Sequence, residues 1–438
     1  MDKKNANRLL ARLAAHGTPP TEWATAGEAL PLFSVGLEMW IDRLSEVYLR
    51  NLCCDDAHFK IVLAPYGGGK THFLMALGVR ALSENYAISY VQCVPDKPGS
   101  PARVDNPLGL YGEIANHLQI TGISGQGVPA LLEAVVDQKR KAILAASAPD
   151  PDRAFGLYLR SLRNEFPAGI YGDFADVVSE ALKAHWNPNE APAAGAAAEK
   201  WLQGAMDSMD PMELKSLGMK RIPASDRGVV GRRLTLALAK FTRHAGCNGL
   251  TLLIDELETL FNAKGKALKS LLGAMRVMVD WHATITDGVP LFCVFSAVPD
   301  VLEQFTKFPA LQQRFAVAGA TFEQGNDYCP QISLEKLGLS QESLLAAIGE
   351  RLVDIAAVAA EHPLTTSIQV ENARKLAKVA TKLTLDVNAR RLFIKAWTGL
   401  LQLQIRAGEK AYEEDELAQR YRGEFDEIRR VDEEVFEP

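Results

Sequence analysis

Several features are missing from this sequence, and each absence closes off a class of function. The six cysteines, at 53, 54, 93, 247, 293 and 329, show no CxxC spacing. Most lie in apolar, strand-like runs, so they read as buried, reduced thiols rather than a disulfide framework or a cluster site. The eight histidines form no HxxxH or related pair, which argues against zinc. The longest apolar run, "VPLFCVFSAVP", is too short to span a bilayer. At the N-terminus, Arg8 and Arg12 interrupt the apolar positions of "MDKKNANRLLARLAAHGTPP". That stretch reads as an amphipathic helix rather than a secretion signal. A cytoplasmic protein is expected. No internal repeat period emerges.

Net charge is also small. The formal total is −6, but residues 408–438 hold twelve acidic and five basic residues and so carry −7. The first 407 residues therefore stand at +1, which neither indicates nor excludes a nucleic-acid partner. At 438 residues, with 47% hydrophobic and 23% charged composition, the chain has the profile of a globular protein of two or three domains.

What the sequence does have begins at "HFKIVLAPYGGGKTHFL" (58–74). A β-branched apolar strand runs into three consecutive glycines, then Lys70-Thr71, then apolar residues at helical spacing. Strand, glycine turn and helix form the context that a phosphate-binding loop requires. Gly67, Gly68 and Gly69 free the backbone to point successive N–H groups at phosphate oxygens. The following helix adds the partial positive charge of its N-terminus. Lys70 would span the β- and γ-phosphates of ATP, and the Thr71 hydroxyl would hold Mg²⁺. The expected nucleotide-binding run is Tyr66, Gly67, Gly68, Gly69, Lys70, Thr71 and His72. The position of the first motif glycine is Ala64, followed by Pro65, which favours an extended residue there.

A second run, "GLTLLIDELETL" (249–260), reads as a buried strand ending in Asp-Glu. Placed at the end of a neighbouring strand, Asp255 suits Mg²⁺ binding through water, and Glu256 suits polarising the attacking water. Glu258 reads as a polar residue at a helix start. Further strands are expected near 87–94, 289–298 and 330–337, with "PALQQRF" (309–315) between the last two, and helices over 106–120 and 266–283. Residues 340–407 read as helical throughout. The stretch 187–201, "NPNEAPAAGAAAEKW", reads as a flexible break between helices. The charged tail reads as a solvated helix or a partner contact.

The expected architecture is α/β: a P-loop NTPase parallel sheet with a helical insertion and a C-terminal helical lid. The boundaries drawn are 1–130 for the first part of the core and 131–235 for the insertion. The core resumes over 236–340, and the lid and acidic tail occupy 341–438.

An ordered series of segments carries a family resemblance across roughly residues 7–400. It includes "NRLLARLAAHGTPP", "LFSVGLEMWIDRL", "YGGGKTHFL", "GLYGEIANHL", "KWLQGAM", "GCNGLTLLIDELETL", "FSAVPDVLEQFTKFPALQQRF" and "NARRLFIKAW". The chain resembles AAA+-type P-loop ATPases of the BREX ATP-binding family in phage exclusion and, more distantly, the replication-initiator clade. The resemblance implies that "FSVG" (33–36), with Val35 and Gly36, covers the adenine; a plain helix-entry turn is the alternative. It implies that Arg314 in "LQQRF" is an arginine finger completing a neighbour's site, against a surface salt-bridge arginine. Arg390 falls at the lid position that reads the γ-phosphate, with Arg391 competing for the role. The family's strand-end threonine is replaced by Val298, leaving Ser296 as the candidate for orienting water.

Three readings of function follow. One is an ATP-hydrolysing motor, loader or assembly factor, working as a homo-oligomer or with other defence subunits. The second is a non-catalytic, nucleotide-gated switch, which would have no need of Glu256. The third is a DNA-binding adaptor using the basic stretch 215–233, "KSLGMKRIPASDRGVVGRR", whose alternative is a solvated loop and helix start.

Overall fold

The computed structural model describes residues 1–18, 23–93, 102–166, 170–189, 192–284, 288–315, 322–323, 325–336, 338–383 and 389–423. Its centre is a six-stranded sheet built from β1 (Ala57–Leu63), β2 (Ala87–Gln92), β3 (Leu118–Gln119), β4 (Leu250–Asp255), β5 (Leu291–Ala297) and β6 (Gln331–Ser333). The spatial order is β3-β2-β4-β5-β1-β6. Every neighbouring pair is parallel except β2 and β3. The parallel arrangement follows from the sequence: β4 and β5 are buried at every position, as strands covered by helices on both faces must be.

Strand order corrects one expectation. The strand carrying Asp255 is not next to the strand that leads into the glycine loop, because β5 lies between them. Register pairs Leu63 with Ala297 and Ile254 with Phe295. The three carboxyl ends therefore emerge side by side, and Ser296 of β5 is interposed between loop and carboxylate. Crevices outside such strand ends are where open α/β sheets bind ligands.

Helices Glu38–Leu44 and Lys70–Ser83 cover one sheet face through Trp40, Leu44, Phe73, Leu74 and Leu77. Pro107–Asn116, Arg227–Phe241 and Gly265–Thr284 cover the other, and the helices between 127 and 202 extend that same core. The helix expected over 106–120 ends at Asn116, and the short antiparallel edge strand β3 follows it.

The alanine-rich stretch is not a flexible break: Pro192–Leu202 is a helix with Ala197, Ala198, Trp201 and Leu202 buried. Alanine has the highest helix propensity, and small side chains let a neighbouring helix approach closely. Residues 190–191 of that stretch lie outside the described residues.

Three helices, Gln341–Ala359, Thr366–Leu383 and Ala389–Ala407, fill the C-terminal region expected to be a lid. The first helix of the chain, Lys3–His16, packs into the same core through Leu9, Leu10 and Leu13, beside Leu352, Phe393 and Trp397. Burying each such side chain contributes roughly 1.5–3 kcal/mol.

The charged tail is docked as far as residue 423. Tyr412, Leu417 and Tyr421 are buried against the lid, while Glu414 pairs with Lys378 and Lys382. Residues 424–438 lie outside the described residues. None of the described helices is long and apolar enough to cross a membrane.

Candidate functional site

The three glycines each answer a different steric demand. Gly67 has φ +71° and Gly69 φ +93°, values that side-chain-bearing residues rarely adopt. Gly68 has no room for a side chain: a Cβ there would lie 2.7 Å from the Ala64 Cβ and 2.8 Å from the Pro65 carbonyl oxygen. Among the described residues, those with positive φ other than glycine are Asn85, Ser147 and Glu256, so Ala64 keeps an ordinary conformation.

Beyond the loop, Lys70 opens the helix and is buried. Its Nζ donates to the Ala64 and Pro65 carbonyls at 3.1 and 3.3 Å, and lies 3.3 Å from Glu258 Oε1. Glu258, expected to be an ordinary polar residue at a helix start, is instead a buried member of the site in the 3₁₀ turn Leu257–Asn262. Burial pushes its carboxyl above the usual range, and Lys70 pulls it part of the way back.

Asp255 ends β4 under four hydrogen bonds. The Thr71 hydroxyl donates to its Oδ2 at 2.7 Å, and the Tyr90 hydroxyl to the same oxygen at 2.8 Å. Its Oδ1 receives the Ser296 hydroxyl and, at 3.0 Å, the Glu256 amide. Thr71 and Asp255 are thus brought together as the sequence pattern requires. Ser296 is fully buried and touches Asp255 and the Glu256 amide, the latter at 3.2 Å, rather than lining the cavity.

Glu256 adopts a left-handed conformation, φ +57° and ψ +41°. For a residue with a side chain, such a conformation is held against a cost of order 1–2 kcal/mol by its surroundings. Here the hydrogen bonds that its amide donates to Asp255 Oδ1 and the Ser296 hydroxyl oxygen fix the turn. Glu256 lines the cavity together with the loop.

That cavity has a volume of about 270 Å³. Its lining combines polar groups, among them the glycine loop, Lys70, Thr71, Glu256 and Glu258, with apolar ones, among them Leu13, Phe33, Val35, Leu37, Leu344 and Ile348. A ligand that carries both phosphates and a flat ring matches this mixed lining. Gly36, at φ +76°, turns the chain between Val35 and Leu37.

His72 also lines the cavity, with Nε2 2.7 Å from the Ser34 hydroxyl oxygen. Ser34 donates its own hydrogen to the Leu30 carbonyl, so its oxygen accepts and Nε2 carries the proton. Burial, reinforced by Arg390, brings the imidazole down to about 4 and leaves it neutral at physiological pH.

Of the two competing arginines, Arg390 donates through Nη1 to the Gly68 carbonyl, inside the glycine loop. Arg391 also lines the cavity but donates through Nε to the His16 carbonyl at 3.0 Å, tying the first helix to the lid.

Arg314 lies elsewhere. On helix Pro309–Phe315 it holds both carboxylate oxygens of Asp280 and the Ala310 carbonyl, and it does not line the cavity. In the basic stretch 215–233, Lys215, Lys220 and Arg221 are exposed, and Arg227 pairs with Asp207 at 2.8 Å.

The sequence reading missed Glu258, Tyr90 and the contribution of the first helix. Glu258 had a visible signal, a third carboxylate following Asp255 and Glu256 on the same turn. Tyr90 had none, because only the β2–β4 pairing brings it to Asp255.

No curated protein and no solved structure matches this chain. The family model described as BREX system ATP-binding protein BrxC/D matches residues 3–419, nearly the whole length, and the chain belongs to that family.

Proposed function

We propose that this protein binds ATP with Mg²⁺ at the glycine loop and hydrolyses it, as a motor, loader or assembly factor of BREX phage defence. The observation that carries the catalytic part is the strained, left-handed Glu256 in front of the loop, anchored to an Asp255 that Thr71 already touches. A protein that merely holds nucleotide gains nothing from maintaining a carboxylate there.

Each residue has a role in this reading. The loop amides and Lys70 bind the phosphates, and Val35 packs on the base. Thr71 and Asp255 would hold the metal, whose charge offsets that developing on the phosphates when bound. Glu256 orients and polarises the attacking water, with Ser296 and Tyr90 keeping Asp255 in place behind it. Arg390 passes from the Gly68 carbonyl to the γ-phosphate and so links lid position to nucleotide. Membership of a multi-component defence system implies other subunits. Arg314, which does not line the cavity of its own chain, would complete the site of a neighbouring copy.

The test is Glu256→Gln, which keeps size and hydrogen bonding but removes the charge. ATP binding should persist, and phosphate release should fall by about a hundredfold or more. Equal phosphate release from parent and variant, alone and with partner subunits, would favour the nucleotide-gated switch instead.

A further inference from the structure

Glu258 is the least explained charge in the site. Its side chain is 5% exposed, and Oε1 lies 3.3 Å from the Lys70 ammonium. Its other oxygen, Oε2, is buried without a hydrogen-bond partner. A carboxylate placed for stability has both oxygens satisfied, because an orphaned buried acceptor costs about 1–3 kcal/mol. The residue also lines the cavity, beside Lys70 and Glu256. The partner it holds is the cation on which phosphate binding depends.

We propose that Glu258 is an internal counter-ion that occupies Lys70 in the nucleotide-free site and is displaced by the terminal phosphates of ATP. This rests on the reading that Lys70 binds phosphate. Two anions then compete for one buried ammonium. When phosphate wins, Glu258 loses its counter-ion and stands next to a polyanion in a poorly solvated site, where like charges repel strongly. Glu258 therefore lowers nucleotide affinity, and more for ATP than for ADP, since the γ-phosphate adds charge at the lysine. The turn Leu257–Asn262 joins β4 to helix Gly265–Thr284, so release of Glu258 also frees the segment leading to Asp280, the partner of Arg314.

Calorimetric titration of ATP and ADP into parent, Glu258→Gln, Glu258→Asp and Lys70→Ala proteins tests this. Gln removes the charge at constant size and should tighten ATP binding about tenfold or more, with a smaller gain for ADP. Asp keeps the charge at shorter reach and should fall between parent and Gln, which keeps the test valid if the Gln variant folds poorly. Without nucleotide the Gln variant should melt below the parent, and its ATP-induced rise in melting temperature should be larger. If Gln and Asp bind ATP no tighter than the parent while Lys70→Ala loses binding, the counter-ion role is wrong and the nucleotide site stands. If Lys70→Ala binds like the parent, both fall.

Discussion

Two lysines ten positions apart are both buried in this protein, and they do opposite things. Lys60 sits on β1 at 1% exposure, and Lys70 at the helix start beyond the loop at 7%. The Lys60 ammonium donates to the Asp327 and Cys329 carbonyls at 3.1 and 2.5 Å and lies over the Tyr48 and Phe322 rings. No carboxylate pairs with it among its described contacts, and burial brings it down to about 7. Lys70 faces a cavity and holds a carboxylate that another anion can replace. A buried cation locked by carbonyls and rings ties the β6 side of the sheet together. One held by an exchangeable anion at a cavity wall is built to change partners.

Arg314 is the case between these two, and it offers the largest effect. Its partner Asp280 is a carboxylate, as Lys70's is, but the pair is about one-third exposed and does not line the cavity. If Arg314 exchanges Asp280 for a neighbour's γ-phosphate, specific activity should rise with protein concentration or with an added partner subunit. Arg314→Ala should then cut the stimulated rate at least a hundredfold while leaving ATP affinity within about twofold. Mixing Arg314→Ala with Glu256→Gln protein should restore part of the rate, because one mixed interface holds a complete site. Flat activity and an unaffected variant would put Arg314 with Lys60, as a structural cation.

The smaller effect concerns Lys60 and pH. Its amine titrates near 7 in the folded chain and near 10.5 when unfolded. Between those values the unfolded chain binds more protons, so the Lys60 contribution makes the protein more stable as pH rises. Between pH 7 and 8.5 this amounts to about 1.5 kcal/mol. Urea melts of the parent should show that gain relative to Lys60→Met, which has no amine to titrate. A parent and variant with parallel pH profiles would mean that Lys60 stays charged in the fold.

The glycine loop was legible because its geometry dictates residue type: positive φ at 67 and 69, and no space at 68. The Asp255 strand was legible because both of its faces are covered, which leaves a continuous apolar run. What could not be read depends on contacts between distant segments. Insertion of β5 between β1 and β4 is a matter of strand order, which local pattern does not encode. The tail read as solvated because its charges outnumber its apolar residues. Yet Leu417 and Tyr421, four residues apart on a helix, are buried together with Tyr412 just before it, and Glu414 meets Lys378 and Lys382 of helix Thr366–Leu383. Leu13 reaches the site because the first helix joins the lid at the opposite end of the chain.

The central claim, that the cavity at the glycine loop is an ATP site organised by Lys70, is tested most directly by titrating ATP into Lys70→Ala and Lys60→Met proteins side by side. The account predicts at least a hundredfold weaker binding for Lys70→Ala, equivalent to about 2.7 kcal/mol, with its circular dichroism unchanged. Lys60→Met should bind within about twofold of the parent. Parent-like affinity in the Lys70 variant would contradict the account.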